Sequence, residues 1–362
     1  MNICRTWSMS AVVSIVLLIT GVAFPAFAEE YYDRYGLTPA SAALDLGTQP
    51  LGYPNGVISS VMQRDRLLKA ALAGVGHPLT AHAFRRGADM VALLADQRLE
   101  AGLLGDMPTI LAAATGDVWI VGLVKQTSTA IVSNGNTRVA ELAGKRLGYV
   151  PLSSAHQTLL QGLASVELGE GDVRLVPLGI EQMPEALARG EIDAFAAWEP
   201  APSVALANSS KNHIVFRGLS ADYLVLSRAF EKHSPEAARI LVAGFVRAIE
   251  WMRRSQRNVE TAARWVRLDG ESLSGKLPAA TVEQIVTITR RDILNVPSAP
   301  VILTAPNTPS PLKGEFEFLR SQSKLPIKAS WDHVATALRY EGLAKVLKEP
   351  RTYAVHVFDY EQ

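Results

Sequence analysis

From Leu44 onward the chain alternates short apolar runs with longer amphipathic ones, and this rhythm constrains the fold more than any other feature. Leu44 to Tyr53, Thr80 to Phe84, Leu99 to Leu104 and Val118 to Val124 have the length and composition of strands. Gly56 to Ala73, Ala88 to Asp96 and Met107 to Ala114 carry helical spacing between them. The same grammar restarts at Arg146, with strands over Arg146 to Val150, Val173 to Pro177 and Asp193 to Ala197. Helices over Ser154 to Glu167 and Met183 to Arg189 separate them. Strands and helices alternating at this interval build a parallel or mixed sheet covered by helices. Two half-chains with one grammar predict two similar α/β lobes.

The remainder is less regular. His213 to Arg217 and Tyr223 to Ser227 are two more short strands, and Gly135 and Ser209 to Asn212 are loop sites. Helices are predicted over Pro235 to Ser255, Val259 to Arg267, Ala279 to Asp292 and Trp331 to Leu347. Pro300 to Leu325, rich in Pro, Ser and Thr, is predicted irregular.

The N-terminus carries an address. Arg5 is the only charge before Glu29, Ala11 to Phe24 is an apolar core, and Pro25-Ala26-Phe27-Ala28 supplies small residues for a signal peptidase. The core is too short to span a bilayer comfortably. The expectation is export to the periplasm with cleavage after Ala28. Cys4, the single cysteine, lies before that core, so the mature chain would have no thiol and no disulfide, and its core alone must hold it together. The 36 basic and 35 acidic residues nearly cancel, which points away from nucleic acid and from an anionic membrane surface.

The familiar catalytic patterns are absent. There is no GxxxxGK[ST] loop, no GxSxG elbow, and Leu79 stands where a GxGxxG turn opened by Gly74 and Gly76 needs its third glycine. The seven histidines are scattered, and the nearest pair, His77 and His82, is five apart, so they do not share one helix face. No metal and no cofactor is expected. A dispersed acid/base pair, such as Glu199 with His156 in an exported enzyme, stays compatible with the sequence.

Three helix starts follow strands in the same manner. Asn55 and Asp106 stand where N-caps are expected, Asp106 preceded by Gly105 and followed by Pro108, and Ser153 or Ser154 caps the helix carrying Ala155 and His156. Each offers free backbone N–H groups and a positive dipole end at the carboxyl edge of a sheet, where a small anion can bind. Each residue also has a plain role as a cap. His156 can donate to a ligand from the first turn or be structural. Lys125 and Gln126, just past Val124, can face the same cleft or solvent. Trp198 and Glu199 end the run DAFAA before Pro200 and Pro202, at a strand end where open α/β sheets place ligands; Trp198 can equally be core.

The segments GYPNG, GDMPTILAAATGDVWIVGLVKQ, LAGKRLGYVPLSSAHQTLLQGL, RGEIDAFAAWEPAPSVAL and YLVLSRAFEKHSPEAARILVAGFVRAIEWMR occur in this order. Together they resemble the periplasmic substrate-binding proteins of nitrate/sulfonate/taurine-type ABC transporters, from about Leu44 to Arg254. The resemblance implies a type II-like, two-lobed fold, each lobe a mixed sheet flanked by helices, joined by two crossover strands and closing as a hinged clamp. Carried over, 1–28 is the signal peptide, 29–41 an N-terminal arm, 42–130 and 223–299 one lobe and 131–222 the other. The segment 300–362, irregular then helical, would pack on the first lobe. It implies a monomeric receptor handing a small anionic or zwitterionic solute to a membrane permease and its ATPase. Asn55, Gly105, Asp106, Lys125, Gln126, Ser153, Ser154, Ala155, His156, Trp198 and Glu199 would line the interlobe cleft. A receptor for an organic nitrogen base, such as a thiamine-pyrimidine precursor, is the alternative from distant relatives.

Overall fold

The computed structural model describes residues 32–39, 41–135, 138–295 and 311–361. The expected leader lies outside the described residues. Residues up to Gly36 form a unit of their own, of which Tyr32–Gly36 is a single turn, Tyr35 N donating to Tyr32 O at 3.0 Å.

From Leu37 the chain forms one unit. Its first elements are β1 (Leu44–Thr48), α1 (Asn55–Gln63), α2 (Arg66–Gly74), β2 (Leu79–Ala83), α3 (Ala88–Ala95), β3 (Ala101–Gly105), α4 (Asp106–Thr115) and β4 (Val118–Asn134). Next come β5 (Arg146–Tyr149), α5 (Ser154–Ala164), β6 (Arg174–Pro177), α6 (Met183–Ala188), β7 (Ala194–Ala197), α7 (Ala201–Asn208) and β8 (Asn212–Ser227). The remainder is helical: α8 (Arg228–His233), α9 (Pro235–Arg254), α10 (Gln256–Ser274), α11 (Val282–Thr289), α12 (Pro311–Ser321), α13 (Trp331–Ala335) and α14 (Glu341–Lys348).

Eight strands form one sheet in the order β2-β1-β3-β8-β4-β7-β5-β6. β1 pairs parallel with β2 and β3, and β5 pairs parallel with β6 and β7. Between these groups β4 and β8 run antiparallel over their whole lengths, from Val118↔Ser227 to Asn134↔Asn212. β3 is antiparallel to β8 and β7 is antiparallel to β4. It follows that β1 and β3 run with β4 while β5 and β7 run against it, so both groups aim their carboxyl ends at the middle of the long pair. The two-lobed mixed α/β arrangement follows from this directionality.

Each half has its own core. Leu46, Val57, Ile58, Leu68, Phe245 and Val266 belong to a large cluster between β1, β3 and helices α1, α2, α9 and α10. Ile131, Leu147, Leu159, Leu163 and Ala196 form a smaller one around α5, β5 and β7. Among the described residues no helix is long and apolar enough to cross a membrane.

Several element boundaries differ from the sequence expectation. The predicted strand ending at Val124 continues to Asn134, and the two strands at 213 and 223 are one. Polar residues from Lys125 to Thr129 and around Ser220 hide this continuity, yet backbone pairing continues through them, with register shifts at Ile120/Gly122 and Leu123/Lys125. The helix expected over Gly56 to Ala73 breaks because Asp65 caps α2, accepting from Leu68 N at 3.0 Å, and receives Arg247 Nε at 2.6 Å. The strand expected to Tyr53 stops at Thr48. α7 and α8 follow their strands unannounced, and α12 lies within the stretch expected to be irregular. Leu312, Phe316 and Leu319 are buried there, an apolar stripe of three residues that composition alone obscures. The helix expected over Trp331 to Leu347 is two, α13 and α14.

Candidate functional site

Converging strand ends place four helix N-termini around one cleft of about 420 Å³. Asn55 opens α1, Gly87 precedes α3, Gly105 precedes α4, and Ser153 with Ser154 opens α5; all line it. Amides at such ends have no intrahelical acceptor and sit at the positive end of the dipole, so together they favour negative charge. Lys125 of β4, Ser220 and Asp222 of β8, and Trp198 beyond β7 complete the principal walls.

Lys125 and Asp222 face each other across the central strand pair, Nζ to Oδ2 at 3.1 Å, both buried. Burial raises the Asp222 pKa and the Lys125 cation pulls it back. Asn55 also hydrogen-bonds Asp222, while its own Oδ1 has no partner. Ser220 Oγ is likewise unpartnered and buried. Buried polar groups are normally satisfied, so two orphans in one cleft wall mark a place where a ligand completes the hydrogen bonding.

Behind this wall lies Asp106, fully buried. Its Oδ1 accepts from Met107 N at 2.8 Å and its Oδ2 from Ala221 N at 3.1 Å, and it also receives the Ser154 hydroxyl. Burial pushes its carboxyl up to about 6, the Ser154 bond and the backbone donors opposing that rise. The expected caps are corrected at two positions. Asn55 and Asp106 are the first helical residues, with Pro54 and Gly105 in the cap positions. Asn55 spends its side chain on Asp222, across the cleft wall, rather than on its own helix.

On the facing side Ser153 is the cap, its Oγ accepting from His156 N at 3.2 Å and donating to Val150 O at 2.7 Å. Ser154 lines the cleft and Ala155 is wholly buried beneath it. His156 turns away from the cleft, taking Leu152 N on Nδ1 at 3.3 Å and meeting Glu170 Oε1 through Nε2 at 2.9 Å. These His156 and Lys324 contacts hold the Glu170 carboxyl down at about 2, against its partial burial.

Trp198 presents its indole edge to Gly52, where a Cβ would come within 2.7 Å of Nε1. Glu199 is buried and points elsewhere, its Oε1 receiving Arg291 Nη2 at 3.1 Å and its Oε2 receiving Ser203 N at 3.2 Å. Gln126 is exposed on the opposite face of β4 from Lys125, as the two-residue period of a strand requires. The structure therefore brings Asn55, Gly105, Lys125, Ser153, Ser154 and Trp198 together, with Asp106 and Ala155 directly behind. Gln126, His156 and Glu199 lie outside the lining. Sequence reasoning missed Gln49, Gly52, Tyr53, Ser220 and Asp222. Asp222 left one usable signal, a carboxylate opening the otherwise apolar run YLVL.

Among the described residues no three His, Cys, Asp or Glu side chains gather as a metal would require. Glu199 and His156 hold different partners and share no site.

Residues 69–267 match the model of the NMT1-like family. A protein of Escherichia coli (strain K12) named for binding aliphatic sulfonates is 29% identical over 168 residues, covering 43% of this chain and 50% of that protein. The taurine-binding periplasmic protein of the same organism is 30% identical over 122 residues, covering 33% and 38%. The chain thus spans about half the length, or less, of these curated relatives. The alkanesulfonate-binding protein SsuA from Xanthomonas axonopodis pv. citri, solved bound to MOPS, superposes with a TM-score of 0.65 at 23% identity. That match covers 83% of this chain and 99% of SsuA, and it shows the shared fold.

Proposed function

This chain belongs to the NMT1-like family, and from that premise we propose that it is the solute-binding receptor of an ABC importer. In this reading the chain is exported, captures a small solute in the periplasm and delivers it to a membrane permease and its ATPase. The names of the relatives support a solute class of sulfonate or taurine kind. The observation that carries the reading is the cleft itself. Helix N-termini from both halves converge on it, and Asn55 Oδ1 and Ser220 Oγ wait there without partners.

The lobes are proposed as 42–130 with 223–299, and 131–222, with 300–362 packed on the first. β4 and β8 are the strands that cross between them, so bending at their register shifts lets the halves close on the solute. The N-terminus of α5 supports an anionic head and Trp198 an apolar wall. Asp222 and Asn55 Oδ1 are acceptors, and they favour a solute that also carries an N–H donor, a zwitterion before a bare anion. Glu199, expected to meet an amine, serves instead as an anchor for Arg291.

The same acceptors beside an indole support a second reading, an organic nitrogen base. One experiment separates the two: a thermal-shift series with taurine, alkanesulfonates, nitrate, small amines and pyrimidines. A ligand that binds only the native state raises Tm in proportion to log concentration above its Kd. Stabilisation by taurine or an alkanesulfonate, recovered chemically unchanged, upholds the first reading. Stabilisation by pyrimidines alone replaces it with the second, and chemical turnover of the bound compound would sink both.

A further inference from the structure

The C-terminal stretch around α12 carried no role in the sequence, yet it reaches the solute cleft indirectly. α12 packs against α4, on the half of the sheet built from β1 to β3, and buries Leu312, Phe316 and Leu319. Just past its end, Lys324 N donates to Leu319 O at 2.9 Å, which fixes where the side chain leaves the helix. Lys324 Nζ then meets Glu170 Oε2 at 2.5 Å, on the turn between α5 and β6 in the other half. The contact therefore joins the two halves outside the long strand pair.

Glu170 divides its two oxygens. Oε2 takes Lys324, and Oε1 takes His156 Nε2 at 2.9 Å. Since His156 Nδ1 accepts from Leu152 N at 3.3 Å, the proton must sit on Nε2 for both bonds to form, and Glu170 as acceptor selects that tautomer. The recipient of this bracing is an uncomfortable turn. Leu152 has φ of 56°, a left-handed conformation that a leucine rarely adopts because its Cβ crowds the following carbonyl. The next two residues are Ser153 and Ser154, both in the cleft wall. Tyr149 closes the side of the imidazole, its ring centroid 4.9 Å away. His156 is thus buried between a turn that needs support and a carboxylate that is itself held from across the molecule.

We propose that Lys324 and Glu170 are positioning residues for the solute. Through His156 they hold the Leu152 turn that presents Ser153 and Ser154 to the cleft. This rests on the receptor reading of the cleft. Neither residue touches the solute, and the appended C-terminal stretch enters recognition by setting the placement of another half's loop.

Hydrogen exchange on the full chain tests this without any solute. The amides of Leu152 and His156 are the reporters, because both of their hydrogen bonds lie within the braced turn. In Lys324→Gln and in Glu170→Ala these two amides should exchange roughly fivefold faster, the scale of one half-buried ion pair, while the α9 core amides stay unchanged. The double variant should be no faster than Glu170→Ala alone, because the two residues act in series. Lys324→Arg should restore the wild-type rates. If both single variants keep wild-type exchange at Leu152 and His156, or if exchange rises equally throughout the chain, the pair is a general staple and the proposal is overturned. Failure of every solute to bind would remove the receptor reading and leave this exchange result standing.

Discussion

Helices α4 and α5 both begin at the cleft and treat the amides of their first turns in opposite ways. At α4 the protein supplies its own anion: Asp106 accepts from Met107 N and, across the strand, from Ala221 N. At α5 the cap is a neutral hydroxyl, Ser153 Oγ, which satisfies His156 N and leaves Ser154 and Ala155 N–H without intrahelical acceptors. Two similar motifs in the sequence, GDMP and PLSS, thus differ in whether the helix dipole is already answered. Only α5 keeps its positive end for an incoming anion, and the α4 side adds carboxylates, Asp106 behind and Asp222 in the wall. The cleft is therefore polarised from one half to the other.

The strongest way to break this contrast is to empty α4. Asp106→Ala removes three hydrogen bonds to a buried carboxyl and should cost about 3 kcal/mol of stability, measured by urea unfolding. The sign with pH also follows from its pKa. The folded-state value, pushed up to about 6, exceeds the ordinary value near 3.8, so the native state binds more protons in between. Its stabilising contribution is full below about pH 4 and is lost as pH rises through 6, at a slope of at most ~1.4 kcal/mol per pH unit. Asp106→Asn should remove that slope from the difference between the two unfolding curves; persistence of the slope would assign it to other groups.

On the α5 side, Trp198→Ala should weaken solute binding by about 2 kcal/mol with the fold intact, read by calorimetry on folded protein. Loss of folding with unchanged affinity per folded molecule would make the indole a core residue. Asp222→Asn sharpens the polarity argument. A zwitterion should bind about tenfold more weakly, whereas a bare anion should bind equally or better once the carboxylate is gone. The smallest effect belongs to Ser153→Ala, where loss of the cap should cost about 1 kcal/mol of stability.

The order of strands and helices through Ala197 was legible because buried strands and amphipathic helices leave different periodicities. Helix starts at strand ends were legible too, which is why Ser153, Ser154 and Gly105 were found. Side-chain direction was not. Asn55 could as well have capped its helix as reached Asp222, and nothing near residue 156 in sequence announces that Glu170 claims the imidazole. Pairing across β4 and β8 sets Lys125 opposite Asp222, 97 positions on, and such a contact exists only once the register is known. The continuous strands were hidden for a related reason: their middle sections are polar because they border the cleft, and polarity there resembles a loop.

Two glycines govern how near the facing walls can come. Gly52 meets the Trp198 indole and Gly105 meets the Ser154 hydroxyl, each contact made across a hydrogen atom where a methyl group would collide. The clearance of the shut cleft is thus set at two points by the absence of side chains. A single methyl at either one would act as a wedge, holding the jaws ajar without altering any charge, and would furnish a receptor arrested in its open form.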